Sequence, residues 1–134
     1  MNKEVRKIYG QPVSLLSSRT NGDEFIGIVS QNKLIVYDGK SINQTTLTSK
    51  VSSVNLLKSK RRLYGLMGEE EGIFSVLDVE QNKTLFSHRC GDQPLHFIEV
   101  CEANSTICCA GKKTPVHMFR YKSKYSVNDD SPEL

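Results

Sequence analysis

Tryptophan is absent from this chain, and Phe and Tyr contribute only five residues each to its 134. With 37% hydrophobic residues, the composition is that of an ordinary globular domain slightly poor in large core-forming groups. Collagen-like, mucin-like and wholly disordered classes are excluded. No apolar run approaches the ~18 residues of a membrane helix, so no transmembrane segment is expected. The opening Met1-Asn2-Lys3-Glu4-Val5-Arg6-Lys7 carries charges where a secretory leader needs an apolar core. The expectation is a cytoplasmic or nuclear protein, not a secreted one. Cysteine is scarce and uneven: Cys90, Cys101, Cys108 and Cys109 all lie in the last third, and no Cys-x-x-Cys pair occurs. A disulfide framework would staple the whole chain, and the first 89 residues offer nothing to staple. Reduced thiols follow. Neither charge sign dominates, since 18 Lys+Arg against 15 Asp+Glu leave a net +3, which demands no polyanionic partner.

Motifs of catalysis are also missing. There is no Gly-x-Ser-x-Gly elbow, no Walker-type phosphate loop and no His-Glu-x-x-His pair. The carboxylates at Asp23-Glu24, Asp78 and Glu80 show no sign of a desolvated pair. No catalytic residue is nominated, no cofactor is implied, and the chain does not read as an enzyme.

What the chain does have is internal repetition. Val13-Ser14-Leu15-Leu16 recurs as Val54-Asn55-Leu56-Leu57 and again as Leu95-His96-Phe97-Ile98, each step being 41 residues. A second element reads Phe25-Ile26-Gly27-Ile28-Val29-Ser30, then Leu63-Tyr64-Gly65-Leu66-Met67-Gly68, then Thr106-Ile107-Cys108-Cys109-Ala110-Gly111. A third reads Leu34-Ile35-Val36-Tyr37-Asp38, then Phe74-Ser75-Val76-Leu77-Asp78, then Val116-His117-Met118-Phe119-Arg120. A weaker fourth appears twice, as Thr45-Thr46-Leu47-Thr48 and Lys83-Thr84-Leu85-Phe86-Ser87-His88. These elements are short, rich in β-branched and aromatic residues, and bounded by turn signals such as Asn21-Gly22-Asp23, Asp38-Gly39 and Cys90-Gly91-Asp92. No window of a dozen residues carries a helical stripe. The expected fold class is all-β.

Four short strands recurring about every 40 residues match the ~40–45-residue period of propeller blades. Tyr37-Asp38 and Leu77-Asp78 stand where WD40 repeats close their third strand with Trp-Asp, and Phe119-Arg120 occupies that place in the third copy. The pattern resembles a degenerate WD40-like β-propeller of about three four-stranded antiparallel blades. The absent Trp and the missing Gly-His pair depart from the family and put its His–Asp network in doubt. A small β-sandwich or barrel is the alternative. On the propeller reading, residues 1–10 form a lead-in, 11–125 the repeat region (blades near 11–50, 51–90 and 91–125), and 126–134 a flexible acidic tail.

Closed propellers use ~4–8 blades, because closure protects the strand edges. About three blades therefore imply a partner: a second copy forming a homodimer, or another protein supplying the remainder. Isolated, the exposed edges predict aggregation.

Charge marks the candidate binding residues. Lys58, Lys60, Arg61 and Arg62 form the densest cationic run, which suits phosphate groups of nucleic acid or anionic lipid, or a nuclear-localisation signal. It equally suits a solvated hairpin loop, and no aromatic platform interleaves with it. The resemblance places Glu69, Glu70, Glu71, Lys112, Lys113 and Gln31-Asn32-Lys33 together on one face of the ring, where opposite charges suit a protein partner. His88, Cys90, His96, Cys101, Cys108, Cys109 and His117 crowd into 30 residues, yet match no zinc-finger spacing. Cys108 and Cys109, being adjacent on a strand, point to opposite faces. No metal site is assigned. Asn43, Asn82 and Asn104 head glycosylation sequons that are idle without a secretory leader, and Ser131-Pro132 is a minimal phosphorylation dipeptide. The leading functional reading is a non-catalytic interaction scaffold; the alternative is a phosphate-binding module built on residues 58–62.

Overall fold

Short runs rich in β-branched and aromatic residues, broken by frequent turn residues, form eleven strands in a computed structural model that describes residues 15–20, 24–30, 32–59 and 61–122. The lead-in at 1–10, the acidic tail at 126–134, Val13-Ser14, Asn21-Gly22-Asp23, Gln31 and Lys60 lie outside the described residues. The strands are β1 (Leu15–Thr20), β2 (Glu24–Ser30), β3 (Lys33–Tyr37), β4 (Ile42–Thr46), β5 (Val51–Ser59), β6 (Arg62–Glu69), β7 (Ile73–Asp78), β8 (Lys83–Arg89), β9 (Phe97–Cys101), β10 (Thr106–Ala110) and β11 (His117–Arg120). Among the described residues there is no α-helix, only a 3-10 turn at Glu102–Asn104.

Each strand pairs antiparallel with its sequence neighbours, giving three separate sheets ordered β1-β2-β3-β4, β5-β6-β7-β8 and β11-β10-β9. Among the described residues the third sheet has three strands, and the fourth repeat element appears only twice in the sequence. The sheets stack face to face with the second in the middle. Because side chains alternate along a strand, neighbours Leu56 and Leu57 serve opposite interfaces. Leu56, Leu63, Met67, Leu77 and Val79 pack with Phe25, Val29, Leu34 and Val36 of the first sheet. Leu57, Tyr64, Leu66, Phe74 and Val76 pack with Leu95, Ile98, Ile107 and Cys109 on the third-sheet side. A two-layer sandwich buries one face of each sheet; here the second sheet buries both, which sets the sandwich alternative aside.

Two glycines let the first interface close. A Cβ on Gly27 would sit 2.9 Å from Leu56 Cδ1, and one on Gly65 would sit 2.9 Å from Leu34 Cδ2. The two residues occupy the same place in the sequence repeat, yet they face each other across one interface, each receiving a leucine from the opposite sheet. Strand register explains this. Val29 pairs with Leu34 as Gly68 pairs with Phe74, so the second element is displaced by one residue from its best sequence alignment. A one-residue displacement exchanges the two faces of a strand. The third element keeps its alignment in facing: Leu34 and Val36 face the second sheet as Phe74 and Val76 face the third.

Candidate functional site

The basic run closes the β5–β6 hairpin, with Arg61 in the left-handed region at φ 66°. Its members do not act alike. Arg62 reaches across to β7, where Nη1 donates to Asp78 Oδ2 at 3.0 Å. Asp78 is only 1% exposed, and its other oxygen accepts the Gln81 amide at 3.1 Å, which fixes the β7–β8 turn. A buried carboxylate needs such a partner, so Arg62 is a structural cation. Lys58 and Arg61 border a cleft of about 170 Å³ between the first and second sheets, together with Phe25, Leu63, Lys40, Asp38, Asn43 and Glu80. Acids and bases mix there, unlike the uniform positive surface that binds polyphosphate. Lys60 lies outside the described residues.

The two Asp residues at the family's Trp-Asp position diverge. Asp38 is exposed and accepts the Ser41 and Lys40 amides at 2.8 and 2.9 Å, an Asx-turn at the β3–β4 corner. The Ser41 amide, with help from that of Lys40, holds its carboxyl below the ordinary carboxylate value. Asp78 is instead buried and paired with Arg62.

On the β6–β7 turn the three glutamates also part company. Glu71 is exposed; Glu70 pairs with Lys50 at 3.5 Å with both side chains largely solvated, a contact worth little. Glu69 turns inward. It is 9% exposed, and its Oε2 accepts the Ser75 hydroxyl at 3.0 Å. Lys112 and Lys113 are exposed on the β10–β11 turn. That turn and the glutamate turn both border Gly91, which abuts Gly72 on one side and Thr114 on the other.

The sulfur and imidazole groups spread over both faces of the third sheet and the edge of the second. Cys90 and Cys109 meet across the interface with sulfurs 3.6 Å apart, and both are free thiols. Burial first, then the neighbouring Cys90, pushes the Cys109 thiol up to about 12, so it stays protonated and unreactive at neutral pH. His88 and His117 approach with ring centroids 6.2 Å apart, while His88 packs edge-on to Phe119 at 5.3 Å. Among the described residues no three His, Cys, Asp or Glu side chains converge to hold a metal ion.

An incomplete ring implies an uncovered terminal blade, and the structure locates that bare face by residue on the third sheet. Val116 and Met118 are 65% and 67% exposed, and Phe97 on the same sheet is 55% exposed. Val116 and Met118 hold the repeat positions of Phe74 and Val76, each 0% exposed because the third sheet covers them. The corresponding flank of the first sheet differs, since Ile28 and Ile35 are 9% and 4% exposed within the chain.

Three stacked antiparallel meanders of this kind are the blades of a β-propeller, and solved propellers show the same fold. The chain superposes on a chain of the crystal structure of the mitotic checkpoint complex with TM-score 0.63 at 14% identity, covering 80% of this chain and 33% of that one. It also superposes on the β-propeller domain of Cps50 (Swd1) from Myceliophteria thermophila, with TM-score 0.60 at 10% identity, covering 90% of this chain and 45% of that one. The chain thus spans less than half the length of these solved structures. In sequence it belongs to the family described as "Uncharacterised protein YJR039W middle domain", which matches residues 8–130. No curated protein matches it. No helix among the described residues is long and apolar enough to cross a membrane.

Proposed function

We propose that the chain is a non-catalytic protein–protein interaction module: a WD40-like propeller segment, with blades at 11–50, 51–90 and 91–125, that joins a further blade through the outer face of its third sheet. One observation carries this reading. Val116 and Met118 are open to solvent at positions that are fully buried one repeat earlier. Contiguous apolar surface of that kind marks an interface, and the same face of the second sheet shows what fits it: another antiparallel sheet. Closing a ring from two identical copies would need the opposite flank to be equally bare. That flank is uneven, with Ile26 40% exposed but Ile28 and Ile35 buried, so a blade from a different protein segment is the favoured occupant.

The test is the double substitution Val116→Asp, Met118→Asp. In extracts of cells expressing the chain, the wild type should elute well above its own 15.1 kDa, and the variant near that mass. Neither side chain is buried in the chain itself, so the purified variant should unfold within about 3 °C of the wild type. Unchanged elution of the variant would overturn the reading. A purified wild-type chain at twice 15.1 kDa in light scattering would assign the face to a second copy instead.

A further inference from the structure

We infer that the groove between the first and second sheets is a second docking site, which takes an extended protein segment presenting a Lys or Arg side chain to Glu69. The groove encloses about 480 Å³ and is lined by Thr45, Leu47, Glu69, Ser75, Thr84 and Ser87, among others. This inference rests on the reading of the chain as a protein-interaction module, but on a different surface from the bare face of the third sheet.

Charge sets the partner's chemistry. Glu69 lines the groove while 9% exposed. A carboxylate has about four acceptor sites, and its hydrogen-bond partner is one neutral hydroxyl, that of Ser75, which is itself 3.2 Å from the Ser87 hydroxyl. The neighbouring cation, Lys50, is directed to Glu70. Among the described residues no cation lies within ion-pair distance of Glu69. Glu69 thus presents a negative charge at the groove wall with no counter-charge beside it among the described residues, and an entering ammonium or guanidinium supplies one. The surrounding Ser and Thr hydroxyls supply both donors and acceptors to the rest of the ligand.

Topology sets its form. β4 and β8 are the terminal strands of adjacent sheets, and the groove runs between them. Thr45 and Thr46, on opposite faces of β4, both line it, so the groove wraps round the strand's outer edge. A terminal strand offers a row of backbone N–H and C=O groups for strand addition, which an extended segment can use and a small amine cannot.

Fluorescence anisotropy with the whole chain and hexapeptides of alternating Thr and Val, carrying Arg, Lys, norleucine or Glu at one central position, tests this directly. The Arg and Lys peptides should bind, and the norleucine and Glu peptides should not. Glu69→Gln should weaken the basic peptides about thirtyfold or more, as expected for removing one member of a buried charge pair. Thr84→Arg, at an exposed position, should block them by placing a cation at the groove without touching the core. The Val116→Asp, Met118→Asp variant should bind them normally, which separates this site from the other. Equal binding of the Arg and Glu peptides, or indifference to both Glu69→Gln and Thr84→Arg, would overturn the inference. So would full displacement of the Arg peptide by putrescine at the peptide's own concentration.

Discussion

Phe74→Ala should lower the unfolding free energy by about 3–5 kcal/mol in urea titrations, the range for emptying a fully buried aromatic site. Phe74 is 0% exposed. Its ring stacks on Phe119 of the third sheet at 5.0 Å and meets Phe86 edge-on at 6.3 Å, and such pairs add about 0.5–1.5 kcal/mol beyond area burial. The substitution therefore loosens the third sheet from the second as well as leaving a cavity. A domain of this size holds only about 5–15 kcal/mol in total, so the variant should be partly unfolded at 37 °C. Phe97→Ala is the internal control. Its side chain lies on the bare face, and its loss should change stability by no more than about 0.5 kcal/mol. Equal effects at the two positions would mean that the sheets do not stack as described.

Gly72→Ala should be nearly as damaging, by a different route. Gly72 sits in the β6–β7 turn at φ +91°, outside the region open to residues with a side chain. A Cβ there would also run into the Gly91 carbonyl oxygen and approach that of Gln93 to 3.0 Å. These are backbone atoms of the segment leading to the third sheet, and Cys90 already donates its amide to the Gly72 carbonyl at 2.8 Å. Neither strand can give way without breaking that contact. Gly39, at φ +96°, separates the two causes, because nothing lies within 4 Å of a Cβ built on it. Gly39→Ala should cost only the backbone strain, about 1–2 kcal/mol, and Gly72→Ala about 3–4 kcal/mol with the collision added. Thermal and urea unfolding of the pair checks the difference. Equal losses would show that the Gly72 turn is free to move.

The all-β class and the three-fold repetition were legible because each element is a short run rich in β-branched and aromatic residues between turn residues, a signal that needs no tertiary knowledge. The third strand of each repeat aligned because Leu34 to Asp38 and Phe74 to Asp78 share apolar residues at their first, third and fourth positions and a closing Asp. The second strand did not, since Gly27 and Gly65 invite alignment with each other. Only the pairing register shows that they answer different leucines. Asp38 and Asp78 look equivalent in sequence. They differ in the fold because Asp78 has Arg62 beside it, whereas Asp38 takes the amides and the Ser41 hydroxyl of its own turn.

The charged clusters were legible as clusters but not as sites. Within Lys58–Arg62 the described Arg62 is committed to the buried Asp78, and within Glu69-Glu70-Glu71 it is Glu69 that turns inward. Local composition cannot say which, because the choice depends on strand parity and on what lies across the sheet. The hydroxyl-lined groove is assembled from β4, β7 and β8, residues too far apart in the chain to form a motif. The bare face was legible as the open end of an incomplete ring, but not as particular residues. Val116 and Met118 carry the same alternation as Phe74 and Val76, and an apolar pattern announces a buried face without saying what buries it.

The central claim is that another blade covers the outer face of the third sheet, and methionine oxidation footprinting tests it most directly. Met118 is 67% exposed and Met67 6% exposed, so in the purified chain a brief peroxide pulse should oxidise Met118 rapidly and Met67 slowly. Inside cells expressing the chain, Met118 should fall to the slow rate of Met67, with the Val116→Asp variant restoring its reactivity. Oxidation of Met118 at the same fast rate in both settings would contradict the account.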